Sequence, residues 1–417
     1  MVLMNSKKIR LKMNSYNFKK NQSNIIFIIS SLVLFTLMLF VEINNGRFET
    51  EDFKVYYSAS KALVNSQQVY GVPFGLSTGF YKYSPFTLFI FAPFTILKYK
   101  IAAIIYFYII TFSLIFSILI IQQLFDNYLL KNKKKQILIS FLILISILIH
   151  IVRDLHLGNT NMIIVFLLIL ALKSTLEKKE IISGLLIALA ILTKPYFIVL
   201  VLPFLLYKKY KTVTSIVVSG IVLTLFTTLV LGFSRSYTLH MEWFQEMLRH
   251  SEYLYSPHTI FYLLEYYFGI VIPKTYTYPF FIVIVLLISL FFWFRNQTDN
   301  DTEKTLLFNY FVLMAIIPNL LITDVEHFIF SLPIIAILIL YLKFYRNYYI
   351  IVLFIIAILM YGGNSTDLVG KGLTIKIKFW GFVGIGNLIL ISLVLYCSRR
   401  KNIKTNGNIK IKNPFTP

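Results

Sequence analysis

Uninterrupted apolar runs of roughly 12 to 25 residues recur from Ile25 to Cys397, with short polar segments between them. Strands of a barrel alternate apolar and polar positions; these runs do not, so they predict helices. The expected spans fall at about 25–41, 101–125, 137–152, 161–173, 181–193, 196–207, 213–232, 279–295, 304–322, 327–344, 347–361 and 381–397. Several are short, as tilted or half-length segments are. A further apolar segment, 84–97, is expected to re-enter or to lie in the interface, because counting it as a span reverses every later loop. The pattern predicts an all-α polytopic integral membrane protein, a bundle of about 12 transmembrane helices with a long first loop over about 42–100. Residues 1–24 and 398–417 read as solvated basic tails at anionic lipid, and 25–397 as one transmembrane domain.

Composition agrees. The chain is 58% hydrophobic with a mean hydropathy of +0.74, more apolar surface than a soluble protein of 417 residues can hide. The first span follows a basic polar segment and lacks a small-x-small cleavage site, so it reads as an anchor and not a cleaved signal. The net charge of +22 belongs to loops and tails facing membrane lipids; nucleic acid is not an expected partner. With Cys397 as the single cysteine, an intrachain disulfide and a cysteine metal cluster are excluded.

Charge also orients the spans. With the N-terminus inside, 26 of the 40 Lys and Arg fall on the cytoplasmic side and 14 on the other, where the loops are longer. Both termini are therefore expected in the cytoplasm. The same arrangement sends all six histidines (His150, His156, His240, His250, His258 and His327) and 12 of the 18 acids to the outer face. Any reaction centre is expected on the extracytoplasmic side.

The chemistry-bearing positions follow from that. Glu49, Glu51 and Asp52 cluster just after the first span and lead into Phe53, Tyr56 and Tyr57. A carboxylate at a membrane surface suits a general base; Asp52 suits equally the N-cap of an amphipathic helix over 52–65. Phe80-Tyr81-Lys82-Tyr83-Ser84-Pro85 brings aromatics and a cation to the membrane edge, where an aromatic belt is the simpler role. Arg153-Asp154-Leu155-His156-Leu157-Gly158-Asn159 offers cationic donors beside a tight turn, with an Arg153–Asp154 ion pair expected. Lys194, in Thr193-Lys194-Pro195, stands between apolar runs and needs an anion or a route to the surface. The 232–278 segment carries His250, Glu252, Tyr253, Tyr255 and His258; Asp324, Glu326 and His327 sit at a helix junction. No HExxH, P-loop or GxGxxG motif occurs, and no metal and no cofactor are expected.

Five short motifs then occur in order: Asp52-Phe53-Lys54-Val55-Tyr56-Tyr57-Ser58-Ala59, Tyr83-Ser84-Pro85, Phe91-Ala92-Pro93-Phe94, Leu157-Gly158-Asn159-Thr160-Asn161 and Leu192-Thr193-Lys194-Pro195. Over about residues 50–335 the chain resembles glycosyltransferase family 87, polyprenol-phosphate-mannose-dependent enzymes of the C-type superfamily. The resemblance implies a C-type bundle that moves a sugar, typically mannose, from a polyprenyl-phosphate donor to a lipid or glycan acceptor on the extracytoplasmic face of a bacterial cytoplasmic membrane. The family's base falls on Asp52, its Lys-Pro motif on Lys194, and the second histidine of a late pair on His327. This chain departs from the pattern at Glu326 (histidine in the family), Asn159 (glutamine) and Ser84 (proline). The expected catalytic residues are Asp52 and His327. Lys194, Arg153, His156, Asn159, Tyr56, Tyr57, Tyr83 and His258 are expected to bind substrate or phosphate. A lipid-linked oligosaccharide flippase or polymerase would use a similar basic cavity without Asp52 as base. A secondary transporter would more often place charges at the midplane and show matched broken helices, which are not evident.

The charge count makes the topology testable. Reporters joined after residue 20 and after residue 412 should be active only in the cytoplasm, and one inserted near residue 72 only outside; an outside signal from either terminus overturns the arrangement.

Overall fold

The computed structural model describes residues 2–75, 79–130, 137–250, 256–299, 301–321, 324–345, 347–399, 402–404 and 410–412. The regular elements among the described residues are helices, apart from a three-residue antiparallel pair, Asn402–Lys404 with Lys410–Lys412, after the last helix, and one bridge between Pro73 and Phe80. Glu252, Tyr253 and Tyr255 lie outside the described residues.

Six helices are long and apolar enough to cross a membrane: Gln22–Asn44, Tyr99–Leu129, Tyr210–Leu231, Thr277–Gln297, Thr302–Leu321 and Val325–Phe344. Two bent pairs raise the count to eight if each is one span: Leu138–Ser146 with Leu148–Leu157, bent by 64°, and Lys371–Phe379 with Phe382–Ser398, bent by 57°. The other expected spans are shorter apolar helices, among them Asn161–Leu176, Glu180–Thr193, Pro195–Leu206 and Tyr348–Gly362. Pro85–Ile96 has 12 residues and reaches about 18 Å, short of the ~30 Å hydrocarbon layer.

Burial separates centre from periphery. The apolar window of Thr302–Leu321 is entirely buried and that of Val325–Phe344 is 94% buried, whereas only 11% of Tyr210–Leu231 is. The peripheral helix turns Val217, Ile221, Leu225 and Leu229 outward, the surface a lipid-facing helix presents. The central helices carry polar groups, and several meet across helix boundaries. Asn319 Nδ2 donates to the carbonyls of His258 (3.2 Å) and Gly384 (3.0 Å). Asn387 Nδ2 donates to Ala315 O (2.8 Å) and Asn319 Oδ1 (2.7 Å), and Ser331 Oγ to Asn387 Oδ1 (2.6 Å). In a dry interior an unpaired amide is costly, so this network fixes how the helices meet.

Three local devices bring distant segments to one place. The first loop folds into the helix Glu51–Val64 and buries Phe53, Val55, Tyr56, Tyr57 and Leu63. Phe53 stacks on Tyr106 of the Tyr99–Leu124 helix, with centroids 4.3 Å apart. Gly158 ends the Leu148–Leu157 helix with φ of +66°, and a Cβ there would lie 3.0 Å from the Cβ atoms of both Thr50 and Phe53. Glycine therefore supplies both the left-handed turn and the close approach. Pro195 interrupts the Glu180–Thr193 helix and forces Lys194 into an extended conformation (φ −136°, ψ 94°), after which the chain resumes as a 3₁₀ turn.

The Glu180–Thr193 and Tyr210–Leu231 helices touch at Gly184, where an added Cβ would come within 2.6 Å of the Ser215 backbone. Gly184→Leu should push them apart and cost about 1–3 kcal/mol, read as a lower Tm in detergent. Gly220→Leu is the control, since a Cβ there meets nothing within 4 Å. Equal Tm for both variants would mean the contact does not matter.

Candidate active site

Lys194 is the centre of the site. The break at Pro195 turns its side chain into the bundle, where it is 6% exposed. Its Nζ donates to Asn161 Oδ1 (2.5 Å) and to His327 Nε2 (2.7 Å), with Asn159 Oδ1 at the limit of reach (3.5 Å). An ammonium has three donors, so two are well used and the third is only loosely held.

Each asparagine passes that charge on. Asn159 Nδ2 donates to Asp52 Oδ2 at 2.5 Å, and Asn161 Nδ2 to Asp154 Oδ1 at 2.7 Å. Asp154 Oδ2 also accepts from the Met162 backbone N–H at 3.3 Å. One ammonium thus faces two carboxylates through two amides, each turning its oxygen to lysine and its NH₂ to a carboxylate. That polarity fixes which way both amides point. His327 must accept at Nε2 if Lys194 is an ammonium, which places its own proton on Nδ1, 3.7 Å from Glu326 Oε1.

Asp52 does not cap its helix. The cap position is Thr50, in the left-handed region at φ 44°, and Asp52 stands in the first turn with its carboxylate on Asn159. Crowding by apolar neighbours raises its pKa to about 6, against the lowering pull of Lys194 and of the Asn159 hydrogen bond. Lys82 lies within electrostatic reach of Asp52 and Asp324, and its pKa is lowered, chiefly by burial.

The aromatic residues form a chain of hydroxyls beside this centre. Tyr56 OH and Tyr83 OH are 2.8 Å apart, and Tyr83 OH is 2.8 Å from Thr160 Oγ1. Thr160 Oγ1 in turn reaches Asn159 Oδ1 at 3.5 Å. Tyr56 and Tyr83 therefore border the site and are more than a membrane belt. Tyr57 turns away and donates to Leu97 O at 2.8 Å, a bond that anchors the first-loop helix.

Other expected residues are placed differently. Arg153 and Asp154 do not pair: Arg153 Nη2 donates to Asn364 O (3.0 Å), while Asp154 is fully buried on Asn161. Adjacent helical residues point in different directions, which the sequence motif alone does not display. His156 is exposed at the helix end and pairs with Glu42 at 2.9 Å, not with Lys194. His258 is buried, with Phe328 packed against its ring. Sequence reasoning missed Asp154, Asn161, Thr160 and Tyr196. The Asn161 signal was present in the Leu-Gly-Asn-Thr-Asn motif. Tyr196 follows the Lys-Pro break directly and keeps a buried hydroxyl without a partner among the described residues.

Asp324, Glu326 and His327 offer ligand atoms within 4.8 Å of one another. They fit a metal poorly. Binding through Nδ1 would leave the His327 Nε2–H aimed at the Lys194 ammonium, donor against donor, and binding through Nε2 would displace the lysine.

The sequence model of glycosyltransferase family 87 matches residues 80–323, more than half of the chain. That stretch contains Tyr83, Arg153, Asp154, Asn159, Asn161, Lys194 and His258; Asp52 and His327 flank it and join the same centre by contact. No curated protein compared with the chain matches it. With its helical bundle, its membrane-length apolar helices and that match, this chain belongs to glycosyltransferase family 87 and is a membrane glycosyltransferase.

Proposed function

We propose that the chain transfers a sugar, mannose in the first instance, from a polyprenyl-phosphate donor to a lipid- or glycan-linked acceptor, with inversion, on the extracytoplasmic face of a bacterial cytoplasmic membrane. The observation that carries this reading is the pairing of one carboxylate of raised pKa, Asp52, with a buried ammonium, Lys194, across a single amide. Displacement from a phosphate needs one base and a stabiliser of the departing charge. A glycosidase would need a carboxylate pair of matched roles. Localisation with both termini inside rests on the charge asymmetry of the loops. A bundle of about 12 spans rests on counting the six long helices, the two bent pairs and four of the five shorter apolar helices, with Pro85–Ile96 re-entrant. The tails 1–24 and 398–417 would flank that single catalytic domain.

In the mechanism, Asp52 accepts the proton of the acceptor hydroxyl as its oxygen attacks the anomeric carbon. The new C–O bond forms as the bond from C1 to the phosphate oxygen breaks, and the electron pair leaves with the polyprenyl phosphate. Lys194 turns its loosely held third N–H to that phosphate and offsets the charge developing on it. His327 holds Lys194 by accepting at Nε2, so it acts first by positioning the ammonium. Asn159 couples the two ends, since the amide that steadies Asp52 also faces the lysine. Tyr56 and Tyr83 border the sugar. No step calls on a metal or an organic cofactor.

Radiolabelled polyprenyl-phosphate-mannose and a lipid and glycan extract, given to purified protein in detergent, test this. Asp52→Asn should reduce transfer by about 10²–10⁴-fold while donor binding persists. Equal transfer by both proteins moves the base elsewhere. Lys194→Ala should lower kcat/KM by about 10²–10³-fold and weaken donor binding; unchanged donor affinity removes the phosphate role.

The pH profile supplies an independent check. Asp52 works as the carboxylate, so kcat/KM should fall on an acid limb centred at about pH 6 and level off above it. Asn159→Leu removes a hydrogen bond that favours the charged form and should move that limb to higher pH. A limb near pH 4 in the unmutated protein would mean that burial does not raise Asp52, and a limb that Asn159→Leu leaves in place would mean that Asp52 is not the titrating base.

A further inference from the structure

Two buried histidines stand near each other and are treated oppositely. His150 is fully buried, and both ring nitrogens meet carbonyls: Val325 O at 2.8 Å and Tyr361 O at 3.1 Å. His258 is as deeply buried, 1% exposed, yet neither Nδ1 nor Nε2 has a hydrogen-bond partner among the described residues. A buried polar atom without a partner is costly, and this protein answers most of its own.

The loop that carries His258 is not loosely placed. The Pro257 and His258 carbonyls sit so close to Gly381 and Gly384 that an added Cβ would lie 2.4 Å and 2.2 Å from them. Asn319 Nδ2 binds the His258 carbonyl, and Thr259 caps the next helix by accepting from Tyr262 N–H. Phe328 packs edge-on against the imidazole, with centroids 5.9 Å apart. The backbone that carries the ring is thus fixed on both sides.

The surroundings define which groups this part of the protein can bind. Arg153 lies three residues after His150 on the same helix and within electrostatic reach of His258. Its Nη2 holds Asn364 O, and Asn364 is itself buried with an Oδ1 that has no partner among the described residues. Burial, followed by the positive fields of Lys378 and Arg153, lowers the His258 pKa to about 4, so the ring is neutral and offers one N–H and one lone pair. Glu326 opposes the charge of Arg153. The unanswered atoms are thus one neutral donor and two acceptors, a demand met by hydroxyl groups, which both donate and accept, and not by a phosphate, which mainly accepts.

Resting on the transferase reading above, we infer that His258 and Asn364, braced by Arg153, form a subsite that binds neutral hydroxyl groups of a glycan acceptor. This separates two tasks that the cationic residues suggest together: Lys194 takes the donor phosphate, and Arg153 supports a pocket for neutral sugar. His258 is here a binding residue that does not take part in proton transfer.

The test uses full-length protein in detergent and mannotriose as a neutral, soluble probe. Mannotriose should raise the Tm of the unmutated protein and of Asp52→Asn alike, and should raise that of His258→Phe and Asn364→Leu at least tenfold less sensitively in concentration. In the transfer assay, both pocket variants should raise the acceptor KM about tenfold, with donor affinity unchanged. His258→Phe keeps the ring volume and removes both unanswered nitrogens, so it should fold with equal or higher Tm in the absence of sugar. Stabilisation of His258→Phe at the same mannotriose concentration as the unmutated protein overturns the subsite, as does the absence of any mannotriose effect on the unmutated protein. If Asp52→Asn transfers normally while mannotriose binding still depends on His258, the base assignment fails and the subsite stands.

Discussion

An ammonium held away from water is the constraint on which the rest of this structure depends. Removing a charged group from water costs several kcal/mol even after relaxation, so Lys194 can stay charged only if its surroundings are built around it. The structure supplies two amide oxygens and an imidazole nitrogen, with two carboxylates one amide further out. Those groups come from the first loop, from either side of the Gly158 turn, from the Pro195 break and from the 3₁₀ turn at Val325–Ser331. No single helix could present them all, and the interruptions in the helical pattern fall where the polar groups must converge. Irregular backbone among apolar helices is tolerated where it is enclosed by protein, and Lys194, Asn159, Asn161 and His327 are all buried.

The same logic explains why amides stand between the charges. A direct lysine–carboxylate contact would tie up both partners. An intervening asparagine keeps each carboxylate hydrogen-bonded and leaves the ammonium a donor to spare. Asp52 remains basic enough to accept a proton near neutral pH because crowding outweighs the pull of the lysine. Asp154, equally linked but fully buried, holds Asn161 from the opposite side. The two carboxylates differ in exposure: Asp52 is partly open and Asp154 is fully enclosed.

Much of this was legible before any coordinates. Apolar runs announced the helices, and the scarcity of acids singled out Asp52. Lys194 stood out because a lysine between two apolar runs needs a reason. The rest required three dimensions. Arg153 and Asp154 are neighbours in sequence but diverge around the helix, so their expected ion pair does not form. His156 shares a motif with Asn159, yet it faces outward to Glu42 because the helix ends at Gly158 between them. Asn161 and Asp154 meet only because that left-handed glycine folds the chain back. Span counting was least secure where Pro195 and Ile147 break apolar stretches into pieces shorter than the membrane is thick. Hydropathy measures composition and does not register a bend.

The most deeply enclosed helix, Thr302–Leu321, is also the least apolar of the six membrane-length helices, with a mean hydropathy of 1.5 where others reach 2.6. It carries Lys304, Asn309 and Asn319, and every residue from Lys304 to Leu321 is buried by other parts of the protein. Such a segment gains little from lipid by itself and depends on its neighbours for shelter. During synthesis it must therefore wait near the insertion machinery until the earlier helices can receive it. Biogenesis of this protein is then a cooperative act, in which the partners that shield the central helix are also its means of entering the membrane.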